Sequence, residues 1–427
     1  MREWEQAIRA LEMPETEARL KALYGDGDRA AALQQKRYAG LIRRHAEAFG
    51  EQGKIALISA PGRTEIGGNH TDHNRGRVLA AAVNLDALCA ATPRDDLKVH
   101  FHSDGSPPIE MDLTNLCPRK EEEGTTKALI RGVAAGMQEA GYAIGGFDAA
   151  VHSTVAGGSG LSSSAALEVM LTGVFDALYN RFDMPYTLRA RISQQAENIW
   201  FGKPCGLLDQ MASAAGGLVT VDFKHPQAPE VEAIQYDFAR KGLSLVVVST
   251  GGSHANLTHC YAAIPAEMKS VAACFGQEVL RGITIPMLLE KAGEIRKKAG
   301  ERALMRAFHF VAENDRVPEQ VAALKEDRTK DFLRLIIESG RSSYMYLQNV
   351  YAPETDQTLS LALCLAEEML QGKGAWRVHG GGFAGTTLNF VPEGDVGWFT
   401  DRMDSVFGKG ACSVLNIRPE GAAWLKY

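Results

Sequence analysis

The 427-residue sequence predicts an α+β protein of two lobes with a cleft between them. Three observations carry this. Short apolar strand patterns alternate with amphipathic helical ones, with no internal repeat and no low-complexity tract. The glycine pair Gly216-Gly217 marks a break near the middle of the chain. Residues 155–169 (VAGGSGLSSSAALEV) run a strand into a helix through a tight glycine- and serine-rich bend.

That bend is the most informative stretch. Gly157, Gly158 and Gly160 leave room for backbone N–H groups to curl around an anion. Ser162, Ser163 and Ser164 are placed to cap the following helix and to offer hydroxyls to phosphate or a hard metal ion. Leu167, Leu171, Val174 and Leu178 recur at helical spacing, so the positive end of a real helix faces the same anion. A flexible linker would not open into a helix so directly. The lysine of a P-loop is missing, so this is a different phosphate cradle.

Composition narrows the function classes. A chain 45% hydrophobic and 23% charged folds as a globular protein and is neither disordered nor fibrous. A net charge of −6 gives no basic field for nucleic acid or an anionic membrane, so a phosphate-bearing ligand must be held by local dipoles, single arginines and a metal. No uncharged apolar run reaches the roughly 18 residues of a membrane span, and the first residues lack a signal-peptide core. The 7 cysteines are scattered without a C-x-x-C pair, which suits reduced thiols in the cytoplasm.

Along the chain, residues 1–50 read as amphipathic helices separated by Gly25-Asp26-Gly27-Asp28, a packing extension without chemistry. Residues 54–61 form a short buried strand ending at Pro61-Gly62. The run from Gly62 to Asn74 (GRTEIGGNHTDHN) is a binding loop, because Asn, Asp and His grip neighbouring hydroxyls directionally, as a sugar requires. A metal role for His70, Asp72 and His73 is disfavoured, since no second ligand set follows. Residues 78–91 suggest a buried strand and its neighbour, 97–113 two surface strands, 126–140 a helix and 147–153 the strand before the bend. In the helix 186–200, Glu197 is either a surface acid or a carboxylate with a task. Asp209 enters a short helix, where a plain N-cap is the simplest alternative. A strand at 243–249 leads into a polar turn at 250–254, and helices cover 261–280, 286–312, 317–325, 329–350 and 356–371. A second glycine cluster, 377–385, precedes strands at 387–391 and 411–417.

The segments 62–74, Gly160 to Ala166 and Gly380 to Gly385 stand in the order and spacing of the GHMP kinases. The first, together with 204–210 (PCGLLDQ), resembles the galactokinase signature, and the likeness runs from about residue 50 onward. It implies a two-lobed GHMP kinase fold: a helical extension (1–50), an N-terminal domain with the sugar and ATP loops (51–215) and a C-terminal domain (216–427), the active site lying between the domains. It further implies Asp209 as the base for a sugar's anomeric hydroxyl, with Arg63 as its charge partner. ATP phosphates would lie on Gly157, Gly158, Ser159, Gly160, Leu161, Ser162, Ser163 and Ser164, with Mg²⁺ on Ser164 and Glu197. Sugar hydroxyls would meet Asn69, His70, Asp72, Gly206 and Tyr261, the last lying seven residues after His254. Gly381 and Gly382 would let a third loop pack close by.

The chain also departs from that signature. Asn69 replaces a glutamate that in the family contacts the hydroxyl on the sugar's sixth carbon, and Glu65 replaces an asparagine. Gly67, His73, Ala80 and Ala156 are further departures, and all but Ala156 lie on the sugar side. The resemblance thus implies an ATP-dependent sugar-1-kinase with a small-molecule partner, galactose first and galacturonate, N-acetylgalactosamine or arabinose as alternatives. The rivals are a non-catalytic sugar and nucleotide sensor, and a GHMP kinase for an isoprenoid alcohol or homoserine, which the polar His70-Thr71-Asp72 cluster opposes. Oligomeric state is left open, and a monomer is compatible with the sequence.

Overall fold

The structure, a computed structural model, describes residues 3–25, 27–50, 53–252, 257–352, 357–383 and 385–427. Asp26, His254 and Ala384 lie outside the described residues. Helices α1 (Glu3–Ala10), α2 (Pro14–Tyr24) and α3 (Asp28–Phe49) come first. Strands β1 (Ala56–Gly67), β2 (Arg77–Pro93), β3 (Lys98–Ser103) and β4 (Ile109–Asp112) follow. Next are α4 (Thr126–Glu139), β5 (Phe147–Ser153), α5 (Ser163–Tyr179), α6 (Tyr186–Gln195) and α7 (Leu208–Ala215). Strands β6 (Leu218–Asp222), β7 (Glu230–Ile234) and β8 (Leu243–Ser249) lead to α8 (Thr258–Ala273), α9 (Ile285–Glu290), α10 (Ala292–Ala299), α11 (Glu301–Lys325) and α12 (Thr329–Ser342). The last elements are α13 (Thr358–Leu370), β9 (Ala375–His379), β10 (Thr386–Pro392), α14 (Val396–Phe407), β11 (Cys412–Leu415) and β12 (Ala423–Leu425).

One sheet has the order β12–β1–β2–β5–β3–β4, and β6 and β7 extend it from β2. At 17 residues, β2 is long enough to serve two neighbours: Arg77 to Ala81 pair with β6, and Ala87 to Pro93 with β5. A second sheet runs β11–β8–β10–β9, antiparallel throughout. The alternation of strand side chains divides the first sheet's two faces. Leu57, Leu88, Ala90 and Ala150 bury against Leu20, Tyr38 and Ile42 of the helical extension. Ile58, Cys89, Ala91 and Ala149 bury with Val169, Met170 and Val174 of α5. The first fifty residues therefore complete a layer of the first lobe.

Several sequence expectations need correction. The strand expected to stop at Pro61 continues to Gly67, because a register shift between Pro61 and Arg63 absorbs the proline's missing donor. The strand and neighbour expected over 78–91 form one strand. The helix break expected at 312–317 is absent, and α11 runs on through Pro318. Beyond Gly216, β6, β7 and β12 all return to the first sheet. Val219 and Val221 join its core, and Gly217 N–H donates to the Arg418 carbonyl at 2.8 Å.

A fully buried carboxylate, Asp86, ties the extension to this sheet. Its oxygens meet Arg37 at 2.6 Å, Tyr24 Oη at 2.5 Å, Arg418 at 3.4 Å and the Ser59 hydroxyl. Burial favours the neutral acid, yet the two guanidinium groups prevail and hold its pKa below the ordinary value. Asp86→Asn leaves Arg418 buried without its counter-ion, so unfolding free energy should fall by about 3–5 kcal/mol. Urea denaturation checks this, and an unchanged midpoint would contradict the structural role.

Candidate active site

Three separate parts of the chain meet at one guanidinium. Arg63, on β1, donates from Nε to Asp209 Oδ1 at 2.7 Å and from Nη2 to Oδ2 at 2.8 Å. Its Nη1 donates to the Gly160 carbonyl at 2.5 Å, so the same side chain ties the glycine-serine bend to α7. The fork geometry is the strong, directional form of the arginine–carboxylate pair. Asp209 sits one residue inside α7, whose N-cap is Leu207, so it is not the cap that its position allowed. Its side chain keeps 33% exposure against 8% for Arg63, so the carboxylate is the member a ligand can reach. Burial pushes the Asp209 carboxyl up, but the Arg63 charge and hydrogen bonds outweigh it and hold the group below the usual carboxylate range.

The bend itself departs from the capping expectation. Ser162 occupies the N-cap of α5 in the left-handed region (φ 59°), and its hydroxyl makes no cap bond. Instead it donates to Asp209 Oδ2 at 2.7 Å. The first N–H groups of the 17-residue α5 are thereby left without a side-chain cap, as an anion site at a helix N-terminus requires. Gly157 and Gly158 stand exposed with open space around them. Ser159 turns its hydroxyl back onto the Ala156 carbonyl at 2.7 Å, and Leu161 is buried with its carbonyl accepting from Arg63 N–H at 3.0 Å. Gly160 is an obligatory glycine, since a Cβ there would collide with Thr386 and His379 of the second sheet. Ser163 and Ser164 lie half-buried in the first turn of α5.

A second group of the anticipated residues gathers around the third glycine loop. His70 Nε2 lies 3.1 Å from the Gly381 carbonyl, and Tyr261 Oη donates to the Gly382 carbonyl at 2.9 Å. The Tyr261 ring is so close to Gly381 that a Cβ there would stand 2.8 Å from it. Asp72 and Gly206 are in intimate contact, and any side chain at 206 would overlap the carboxylate. Asn69, also expected among the sugar contacts, joins this loop through the Gly380 carbonyl at 2.8 Å. It is fully buried, and its amide is spent on Glu65, Gly380, Ser343 and Asn349.

Sequence reasoning missed the residues that bind these groups together. His379 Nε2 lies 3.0 Å from Thr64 Oγ1 and accepts from Glu65 N–H at 3.2 Å, joining β9 to β1. Burial, and then the Arg63 and Arg377 charges, hold this imidazole neutral, far below its ordinary value. Arg377, fully buried, donates to Glu65 Oε1 at 2.8 Å and to the Ile66 carbonyl at 2.7 Å. The only sequence signal for either was adjacency to the glycine cluster.

Glu197 is not a surface acid: it is 2% exposed, on the π-turn Ala196–Phe201. One oxygen meets Lys203 Nζ at 3.0 Å and the other accepts from Gln210 Nε2 at 2.9 Å. The same amide nitrogen donates to Glu168 Oε2 at 2.9 Å, and Glu168 lies one helical turn after Ser164. Burial, and next the Glu197 charge, push the Glu168 carboxyl well above its ordinary value. Among the described residues no cluster of three or more His, Cys, Asp or Glu side chains forms a protein-only metal cage. One carboxylate and one hydroxyl do fit an ion that keeps its waters and arrives on phosphate oxygens. Lys203 reaches Glu197 from the surface, its side chain 61% exposed against 3% for the carboxylate. Among the described residues no helix is long and apolar enough to cross a membrane.

Comparisons with known proteins identify the family. The galactokinase galactose-binding signature matches residues 43–93, and the GHMP kinases N terminal domain matches 128–217. The galactokinase of Streptomyces coelicolor is 32% identical over 397 residues, covering 90% of this chain and 98% of that protein. The human galactokinase is 31% identical over 409 residues, covering 92% and 98%. Among solved structures, Lactococcus lactis galactokinase complexed with galactose superposes with a TM-score of 0.77 at 24% identity, covering 89% of this chain and 98% of that one. Methanococcus jannaschii mevalonate kinase gives 0.59 at 14% identity, covering 86% and 99%, a likeness of fold alone. With identity above 30% across nearly the whole of these relatives, the chain belongs to the galactokinase family of the GHMP kinase superfamily.

Proposed function

We infer that this sugar kinase transfers the γ-phosphoryl group of ATP to the anomeric hydroxyl of galactose, giving galactose 1-phosphate and ADP. The observation that carries the inference is the forked Arg63–Asp209 pair, bonded through Gly160 and Ser162 to the glycine-serine bend. Asp209 receives the proton of the anomeric hydroxyl, whose oxygen bonds to the γ-phosphorus as the bond to the β–γ bridging oxygen breaks. The uncapped N–H groups of α5 and the backbone of residues 157–164 hold the phosphates. Arg63 neutralises charge beside the transferring group. Ser164 and Glu197 would hold Mg²⁺, which when bound supplies charge neutralisation on phosphate oxygens. His70, Asp72, Gly206 and Tyr261 are the sugar-side group, with Gly381 and Gly382 backing them. The ATP donor and the free cysteines favour the cytoplasm as the place of action.

A carboxylate held below the usual range is a weak base, and this fits a loose phosphoryl-transfer transition state. The attacking oxygen carries little positive charge until bonding to phosphorus has begun, so its proton moves late. The same constraint argues against a sensor: nothing in a binding-only site needs a base kept ionised by a forked arginine.

Asp209→Asn keeps the shape of the site and removes the base. Its kcat should fall by about 10²–10⁴-fold with KM for galactose near the wild-type value. A coupled ADP-release assay with galactose, galacturonate, N-acetylgalactosamine and arabinose tests activity and sugar choice together. Wild-type turnover by the variant would remove Asp209 from the chemistry. Because Asp209 is depressed, ionisation of the wild type should persist as pH falls to below about 4. Arg63→Met deletes the lowering influence and leaves burial, so the acid limb of kcat/KM should move to higher pH. An acid limb that stays in place would show that another group sets it.

A further inference from the structure

Asn69 is 0% exposed, and its carboxamide is completely satisfied by protein. Nδ2 donates to Glu65 Oε1 at 2.8 Å and to the Gly380 carbonyl at 2.8 Å. Oδ1 accepts from Ser343 Oγ at 3.1 Å and from Asn349 Nδ2 at 2.9 Å. The orientation is unambiguous, because a carboxylate and a carbonyl can only accept. The main chain at this position is equally committed: Asn69 N–H donates to Glu313 Oε1 at 3.3 Å, and its carbonyl lies 3.0 Å from His309 Nε2. No polar atom of the residue remains for a ligand.

Its partners all lead to the sugar side. Gly380 begins the third glycine loop, whose next carbonyl, at Gly381, meets both His70 Nε2 at 3.1 Å and Asn349 Nδ2 at 3.2 Å. His70 follows Asn69 directly in the left-handed region (φ 57°), a conformation that its surroundings must enforce. Glu65 in turn is ion-paired with Arg377 at 2.8 Å, so the couple spans β1 and β9. Only an amide can donate toward Glu65 and Gly380 while accepting from Ser343 and Asn349.

We propose that Asn69 is a positioning residue: clamped to the Glu65 carboxylate, it fixes His70 and the Gly380–Gly382 loop for the sugar without touching it. The role assumes the sugar-kinase activity inferred above. Sugar recognition at this corner then passes to groups outside residue 69.

The test is a charge transposition with nearly unchanged shape. Asn69→Asp sets two carboxylates against each other and removes the donor to Gly380. Galactose KM should rise about tenfold or more, with ATP KM unchanged. The double variant E65Q/N69D returns one donor and one charge to the couple, so galactose KM should recover most of that loss. A double variant no better than N69D, or an N69D variant with wild-type KM, overturns the proposal. Direct contact with the sixth-carbon hydroxyl makes a different forecast: the kcat/KM ratio of galactose to 6-deoxygalactose would change in N69D and stay changed in the double. Positioning leaves that ratio as in the wild type. If N69D does not fold, Ser343→Ala removes a single donor and should raise galactose KM several-fold; an unchanged KM overturns the proposal. Absence of turnover in the wild type with every sugar would instead defeat the kinase inference itself.

Discussion

The contact on which the rest of the site depends is the double hydrogen bond between Arg63 and Asp209. It draws a central strand, the start of α7 and the carbonyl of Gly160 to one point, and each arrives with its own cargo. β1 brings the polar run 63–74, α7 brings Gly206 just ahead of it, and Gly160 brings the glycine-serine bend. Because the arginine is buried and its fork has one geometry, these three cannot drift independently. The pair also sets the electrostatics, holding down a carboxyl pKa that burial alone would raise.

Around that centre the molecule buries a set of polar groups. Glu65, Asn69, Arg377, His379, Asn349 and Glu313 are all buried, and nearly all are bonded to one another or to loop carbonyls. Buried networks are costly unless fully satisfied, and when satisfied they specify one arrangement. Here they join the two sheets, which a purely apolar seam would hold less directionally. The Asp86 cluster does the same for the helical extension, so rigidity is supplied from both sides of the first sheet.

Much of this was legible in the sequence, and the limits have physical causes. The bend at 157–164 could be read because glycines, serines and a helical apolar stripe leave a local pattern. Arg63 and Asp209 became partners only through a resemblance, since 146 residues separate them and no local rule reaches that far. Ser162 was read as a helix cap because propensity favours it there, but a charged acceptor outbid the backbone N–H groups. Asn69 was named as a sugar contact through the resemblance, and its burial had no local signal. Its burial depends on α11, the segment just after α12 and the third glycine loop, elements hundreds of residues away. Sheet pairing is non-local for a similar reason: β12 closes onto β1 from the far end of the chain.

The most direct measurement of the central claim is the identity of the product. Incubating the full chain with galactose and Mg-ATP, then recording phosphorus–proton coupled NMR spectra, locates the new phosphate on the sugar. An Asp209–Arg63 pair that addresses the anomeric hydroxyl predicts a phosphate coupled to the proton of carbon one, formed in step with ADP. Phosphate on the sixth carbon, or ADP without a sugar phosphate, would contradict it.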